Sequence, residues 1–154
     1  MNQPLLTAGI GNLPAAGSMA EYLIPEPAGC LPLDYFAARW DGDKIRGLSV
    51  RCAGQREHWI ADFGNPNYIL TSYRFVPGEL LTKAWLRDSG YGYGSLRQIE
   101  FQTTTGGVFK AGAAGFDHEV ALPVFNAMLV GVKAWVNPDN FMQGLALYIY
   151  PPKS

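Results

Sequence analysis

Apolar residues recur along this chain in short alternating segments, not in helical stripes. Ile99 and Phe101 point one way while Gln98, Glu100 and Gln102 point the other; Leu145, Leu147 and Ile149 share a face opposite Ala146, Tyr148 and Tyr150. A period of two is the mark of a strand that buries one face. The pattern predicts strands over Asp34–Trp40, Lys44–Arg51, His58–Phe63, Ile69–Phe75, Leu80–Arg87, Leu96–Thr103, Val108–Lys110, Met128–Val136 and Met142–Tyr150. Asp41-Gly42 between the first two is a hairpin signal, because a tight turn needs a residue that accepts positive φ. A 3.6-residue stripe is missing from every window of about a dozen residues, which argues against helical crossovers and for an antiparallel all-β chain. Short helical turns are compatible only near Ser18–Leu23 and Pro123–Met128.

Prolines and glycines break up the beginning of the chain: Pro4, Gly9, Gly11, Pro14, Gly17, Pro25, Pro27 and Gly29. Residues 1–28 therefore read as an irregular arm, and residues 29–154 as one β-rich domain. The 154 residues suffice for a single substantial core. Within the domain, three strand–loop–strand segments look alike: Ile45–Arg51 into His58–Phe63, Leu81–Arg87 into Leu96–Gln102, and Val130–Val136 into Met142–Tyr150. Lys83-Ala84-Trp85 recurs as Lys133-Ala134-Trp135, so a threefold internal repeat is expected.

Composition narrows the chemistry. Twelve Lys and Arg stand against thirteen Asp and Glu, with no basic run for phosphate neutralisation, so nucleic acid is not an expected partner. No segment approaches the ~18 apolar residues that span a bilayer, and residues 1–17 lack a basic, apolar leader; membrane insertion is not expected and a cytoplasmic location is. Cys30 and Cys52 do not make a disulfide framework or a zinc motif, and buried thiols are the simpler reading. His58 and His118 stand outside metal-spaced motifs, and no nucleophile elbow or Walker loop is present. Neither a metal, a cofactor nor an enzyme activity is expected.

With 16% charged residues, the surface is supplied largely by Gly, Asn, Ser, Thr, Gln and Tyr, which suits neutral polar ligands. A neutral sugar needs amides or carboxylates for its hydroxyls and an aromatic ring for its C–H face. Trp135, Asn137, Asp139, Asn140, Phe141 and Gln143 supply both; equally, Asn137-Pro138-Asp139-Asn140 makes a plain turn over a packed Trp135 and Phe141. Asp88-Ser89-Gly90-Tyr91-Gly92-Tyr93-Gly94 is a second loop, with Asp88, Tyr91 and Tyr93 as ligand groups or as parts of a flexible hairpin. Gln55-Arg56-Glu57-His58 is a third polar loop if the threefold repeat holds, and otherwise a solvated one.

Taken in order, these segments resemble the jacalin-related lectins. Leu33-Asp34-Tyr35-Phe36 and Lys44-Ile45-Arg46-Gly47-Leu48-Ser49-Val50-Arg51 are similar to the family's early Phe-Asp segment and its I-x-x-I-x-V-R strand. Val76-Pro77-Gly78-Glu79-Leu80-Leu81 resembles L-x-x-G-E-x-I, and Leu96 to Thr103 with Gly106-Gly107-Val108-Phe109 resembles L-x-F-x-T-N-x-G and the turn after it. Leu129-Val130-Gly131-Val132 and Phe141 to Tyr148 resemble I-V-G-F and Y-I-D-A-I-G-V-Y. The likeness covers about residues 29–151.

It implies a β-prism I of three antiparallel four-stranded sheets with pseudo-threefold symmetry. The implied function is non-catalytic recognition of a mono- or oligosaccharide or glycoconjugate by end loops, with homo-oligomers for avidity. The family's terminal sugar-binding Asp corresponds to Gln143, and its N-terminal Gly-rich turn is represented by Gly29. These departures keep a second expectation open: a structural or protein-interaction β-prism that has lost sugar binding.

Overall fold

The computed structural model describes residues 5–7, 9, 18–23 (backbone only), 33–52, 55–60, 65–88, 95–115, 118–136 and 141–150. These form twelve strands: β1 (Leu5–Leu6), β2 (Ser18–Leu23), β3 (Leu33–Trp40), β4 (Ile45–Cys52), β5 (His58–Ile60), β6 (Ile69–Arg74), β7 (Leu81–Asp88), β8 (Leu96–Thr103), β9 (Val108–Gly112), β10 (His118–Leu122), β11 (Met128–Val136) and β12 (Met142–Tyr150). They build three four-stranded sheets, in the orders β5-β4-β3-β6, β10-β7-β8-β9 and β1-β12-β11-β2. Every pairing is antiparallel. The expected prism of three four-stranded antiparallel sheets is therefore the fold of the chain.

Each sheet is built around a central hairpin, β3–β4, β7–β8 and β11–β12, and each hairpin carries two β-bulges at matching places. The first strands bulge at Leu33/Tyr35, Leu81/Lys83 and Leu129/Gly131, and the second register shift falls at Arg39/Trp40, Arg87/Asp88 and Trp135/Val136. Both series advance by 48 residues from one copy to the next. Equivalent inward positions are all buried: Leu33, Leu81 and Leu129; Phe36, Ala84 and Val132; Ala38, Leu86 and Ala134. This is pseudo-threefold symmetry written in the hydrogen-bond ladder, since a bulge re-aims the strand at the same height in every sheet.

Inward side chains of the three sheets fill one core. Phe36 meets Phe101 and Phe109 edge-on at 5.5 and 5.2 Å, Phe101 stacks on Phe109 at 4.8 Å and on Phe75 at 5.5 Å, and Tyr73 closes the cluster. Offset stacks and T-shaped pairs at these spacings are the favoured aromatic geometries.

Four sequence expectations are corrected. The irregular arm at residues 1–28 contains β1 and β2, which flank β12 and β11, and the segment read as a possible short helix at Ser18–Leu23 is a strand. Six residues with no clear alternation gave little period to read, and the strand exists because β11 offers it an unpaired edge. The segment around His118, which is absent from the strands that the alternation predicts, is the edge strand β10, paired from His118↔Asp88 to Leu122↔Ala84. The first copy of the repeat is β3–β4, not β4 followed by β5. Lys83-Ala84-Trp85 and Lys133-Ala134-Trp135, 50 residues apart, are two positions out of register with the 48-residue period, so their likeness is coincidental.

Candidate functional site

The three central hairpins turn at the same end of the prism. In the β3–β4 turn, Gly42 takes a φ of 93°, which a side chain would resist. Asp41 closes the turn: one carboxylate oxygen accepts the backbone N–H of Asp43 (2.8 Å) and of Lys44 (2.7 Å), and the other accepts Arg46 Nε (2.7 Å). Burial raises the pKa of Asp41, but these hydrogen bonds and the Arg46 charge outweigh it and hold the carboxyl below its ordinary range.

Contacts from this turn reach the other two hairpins. Asp43 Oδ1 lies 2.7 Å from Arg97 Nη2, at the start of β8. The Lys44 ammonium stands 4.6 Å from the centroid of the Phe141 ring, just before β12, and Arg46 lies 5.9 Å from the same ring and 5.8 Å from Tyr68. Arg46, Arg97 and Gln143 occupy one structural position, the extra residue of the bulge that opens β4, β8 and β12. One end of the prism is thus ringed by two guanidinium groups and an amide at symmetry-related places.

Of the residues expected to bind sugar, Trp135, Phe141, Gln143 and Asp88 are described. Trp135 pairs with Gly144 beside the bulge that adds Gln143. Trp135 Nε1, a donor, and Gln143 Oε1, an acceptor, are both buried and have no hydrogen-bond partner among the described residues. Phe141 has its ring against Lys44, so at least one face is occupied by a cation. Asp88 is buried at the end of β7 and lies 3.1 Å from His118 Nδ1. Gly29, Asn137, Asp139, Asn140, Tyr91 and Tyr93 lie outside the described residues, as does Cys30; Cys52 is buried in the core. Among the described residues no group of three or more His, Cys, Asp or Glu is placed to hold a metal ion, and no helix is long and apolar enough to cross a membrane.

The third polar loop belongs to the other end. Gln55 to His58 follows the far terminus of β4, and its Glu57 accepts a hydrogen bond from the buried Ser49 hydroxyl (2.5 Å). The true third member of the set is Asp41 to Lys44, with Arg46 and Arg97, residues the sequence reading passed over. The signal that finds them is the 48-residue spacing of Leu33, Leu81 and Leu129; the tripeptide repeat at a spacing of 50 obscured it.

The opposite end is held by Glu79. Its carboxylate accepts hydrogen bonds from Tyr73 Oη, Thr103 Oγ1 (2.5 Å), Thr105 Oγ1 (2.6 Å) and the backbone N–H of Val76 (2.8 Å). Four donors from within the chain engage this one carboxylate, which makes it a structural hub.

No family model matches the sequence, and no curated protein matches it. Solved structures do. A single-chain recombinant jacalin superposes with a TM-score of 0.72 at 15% identity over 97% of this chain and 96% of its own. A lamprey immune protein superposes with a TM-score of 0.79 at 19% identity, over 98% of this chain and 45% of its own. The Calsepa lectin, solved in complex with a bisected glycan, superposes with a TM-score of 0.67 at 14% identity over 97% and 99%. At these identities the likeness establishes the fold, the β-prism that jacalin and its structural neighbours share.

Proposed function

We propose, from the prism fold shared with the jacalin lectins, that this protein binds a neutral sugar without catalysis at the end where its three central hairpins turn. The observation that carries the reading is the pair of unmatched polar atoms at the bulge opening β12. Trp135 Nε1 has a hydrogen to give and Gln143 Oε1 has lone pairs to fill. A buried polar atom without a partner is costly, about 1–3 kcal/mol, and a sugar hydroxyl, which both accepts and donates, is the type of group that suits either atom. Asn137, Asp139 and Asn140, between these two residues in sequence, add further amide and carboxylate groups. Asp88 ends β7 at the neighbouring hairpin, and Tyr91 and Tyr93 follow it in sequence.

Gln143 in place of a carboxylate gives neutral hydrogen bonds, roughly half as strong as charge-assisted ones. Single-site affinity is accordingly expected in the millimolar to high-micromolar range, about −4 to −6 kcal/mol, and useful avidity requires oligomers or clustered ligands. On a glycan array the wild type is expected to bind a subset of sugars. Gln143→Ala and Asp139→Ala should each weaken that binding by about tenfold, the loss of one or two hydrogen bonds to ligand.

One observation favours a second reading, a prism that serves protein contacts alone: one face of the Phe141 ring is already covered by Lys44. Absence of signal from every glycan, with the protein folded, supports that alternative.

A further inference from the structure

The bulge positions that ring the proposed sugar-binding end carry unlike groups. Gln143 suits a hydroxyl, whereas Arg46 and Arg97 are cations. Around the β3–β4 turn Arg46 pairs with Asp41 and Arg97 with Asp43, while Lys44 lies on the Phe141 ring, so the three cations exceed the two carboxylates by one charge. Asp41 is committed to its own turn and to Arg46. Arg97 is bound differently. Asp43 engages its Nη2, while its Nε is buried and has no partner among the described residues.

Nε and Nη2 share one edge of the planar guanidinium, the edge that accepts a carboxylate through two parallel hydrogen bonds. Asp43 uses half of it. The Asp43 side chain is also 54% exposed, against 24% for Arg97, so it is held only at the surface and is readily exchanged for an external carboxylate. Lys44, the next residue after Asp43, adds a further positive charge to this end of the prism, with its ammonium over the Phe141 ring.

Resting on the carbohydrate reading above, we propose that Arg97 forms an anion-binding subsite that selects a glycan carrying a carboxylate, which displaces Asp43 and occupies both Nε and Nη2. The neutral part of the glycan meets Trp135 and Gln143, and the acidic sugar meets Arg97. The charge that already sits on Nη2 is itself a carboxylate, which fixes the chemistry of the group that replaces it.

The test is an array of matched pairs, each an oligosaccharide ending in a carboxylate-bearing sugar and its methyl ester, followed by calorimetric titration of the bound pairs with the full chain. The wild type is expected to prefer the acid by about tenfold, and the preference should shrink as salt rises. Arg97→Gln should bring the acid-to-ester ratio to about one, and Arg97→Lys should restore part of it, because the charge returns without the fork. Asp43→Asn removes the internal competitor and should raise affinity for the acid. Thermal melting of each variant confirms that it is folded.

Equal binding of acid and ester by the wild type overturns the anionic subsite and leaves the carbohydrate reading standing, as does a preference that survives in Arg97→Gln or an Asp43→Asn variant with no gain for the acid. Binding of neither member of any pair overturns both.

Discussion

Glu79 is 4% exposed, yet the described residues give it no cationic partner; it is kept ionised by hydroxyl and amide donors alone. Burial pushes its pKa up, but the hydrogen bonds from Thr103, Thr105, Tyr73 and the Val76 N–H pull it further down, below its ordinary value of 4.5. Burial and the same carboxylate raise the pKa of Tyr73, whose hydroxyl must stay protonated to donate. Gly107 makes room for this arrangement, since a Cβ there would fall 1.7 Å from Tyr73 Oη. A carboxylate whose folded pKa is depressed contributes stability that is present above the unfolded pKa and is lost as pH falls through the folded one. Denaturant titrations are therefore expected to find stability falling with acidification below about pH 4.5. Glu79→Gln should lower stability at neutral pH by about 1–3 kcal/mol, because its amide turns a donor toward donors, and should flatten that acid limb. An unchanged limb in Glu79→Gln would assign the acid sensitivity to other groups, of which Asp41 is the first candidate.

At the scale of strands, alternation was legible where both faces of a segment had distinct duties. Leu96–Thr103, Met128–Val136 and Met142–Tyr150 were read with their observed bounds, because central strands bury one face and vary the other. Edge strands were less legible: β10 is exposed at His118, Glu119 and Ala121, half-buried at Val120 and buried only at Leu122, so a single core residue marks its inward face. Its anchor lies on the outward face. Arg87 on β7 reaches Glu119 of β10 at 2.7 Å through Nε and Gln98 of β8 at 2.6 Å through Nη1, and pairs with Glu100 at 2.5 Å. Burial lowers the Arg87 pKa, and the two glutamates more than reverse this, so the guanidinium stays charged. Arg87→Met keeps the stem and removes the charge, leaving Glu100 without its ion pair; a loss of about 2–4 kcal/mol is expected in chemical denaturation. Amide exchange in β10 should rise more than in β11, which has no part in this network. Equal rises in both strands would mean that Arg87 acts on the whole domain.

On the scale of the molecule, one core joins the sheets, and Phe101 is near its middle. It is 2% exposed and touches Phe36 from the first sheet, Phe109 from its own, and Tyr73 and Phe75. Phe101→Ala should cost about 3–5 kcal/mol. The four tryptophans, Trp40, Trp59, Trp85 and Trp135, are spread over all three sheets. Their fluorescence and the far-ultraviolet circular dichroism should therefore shift to the same lower midpoint in this variant. Separate midpoints would show that one sheet unfolds alone.

Composition and a period of two determined the class of this protein by themselves: all-β, antiparallel, with Gly- and Asp-rich turns between strands, since the pleat forces alternate residues to opposite faces wherever one face is buried. The resemblance in strand order added the prism. Which turns share an end was decided only by the tertiary structure, because a bulge shows in sequence only as a one-residue slip of the alternation, as from Leu33 to Phe36, and is identified as a bulge only when the partner strand is in place. For that reason Gln143 and Trp135 were legible as site candidates, whereas Arg46 and Arg97, brought to the same rim by two other bulges, were not. Sequence supplies the residues that each strand presents; the pairing of strands supplies the place where three of them meet.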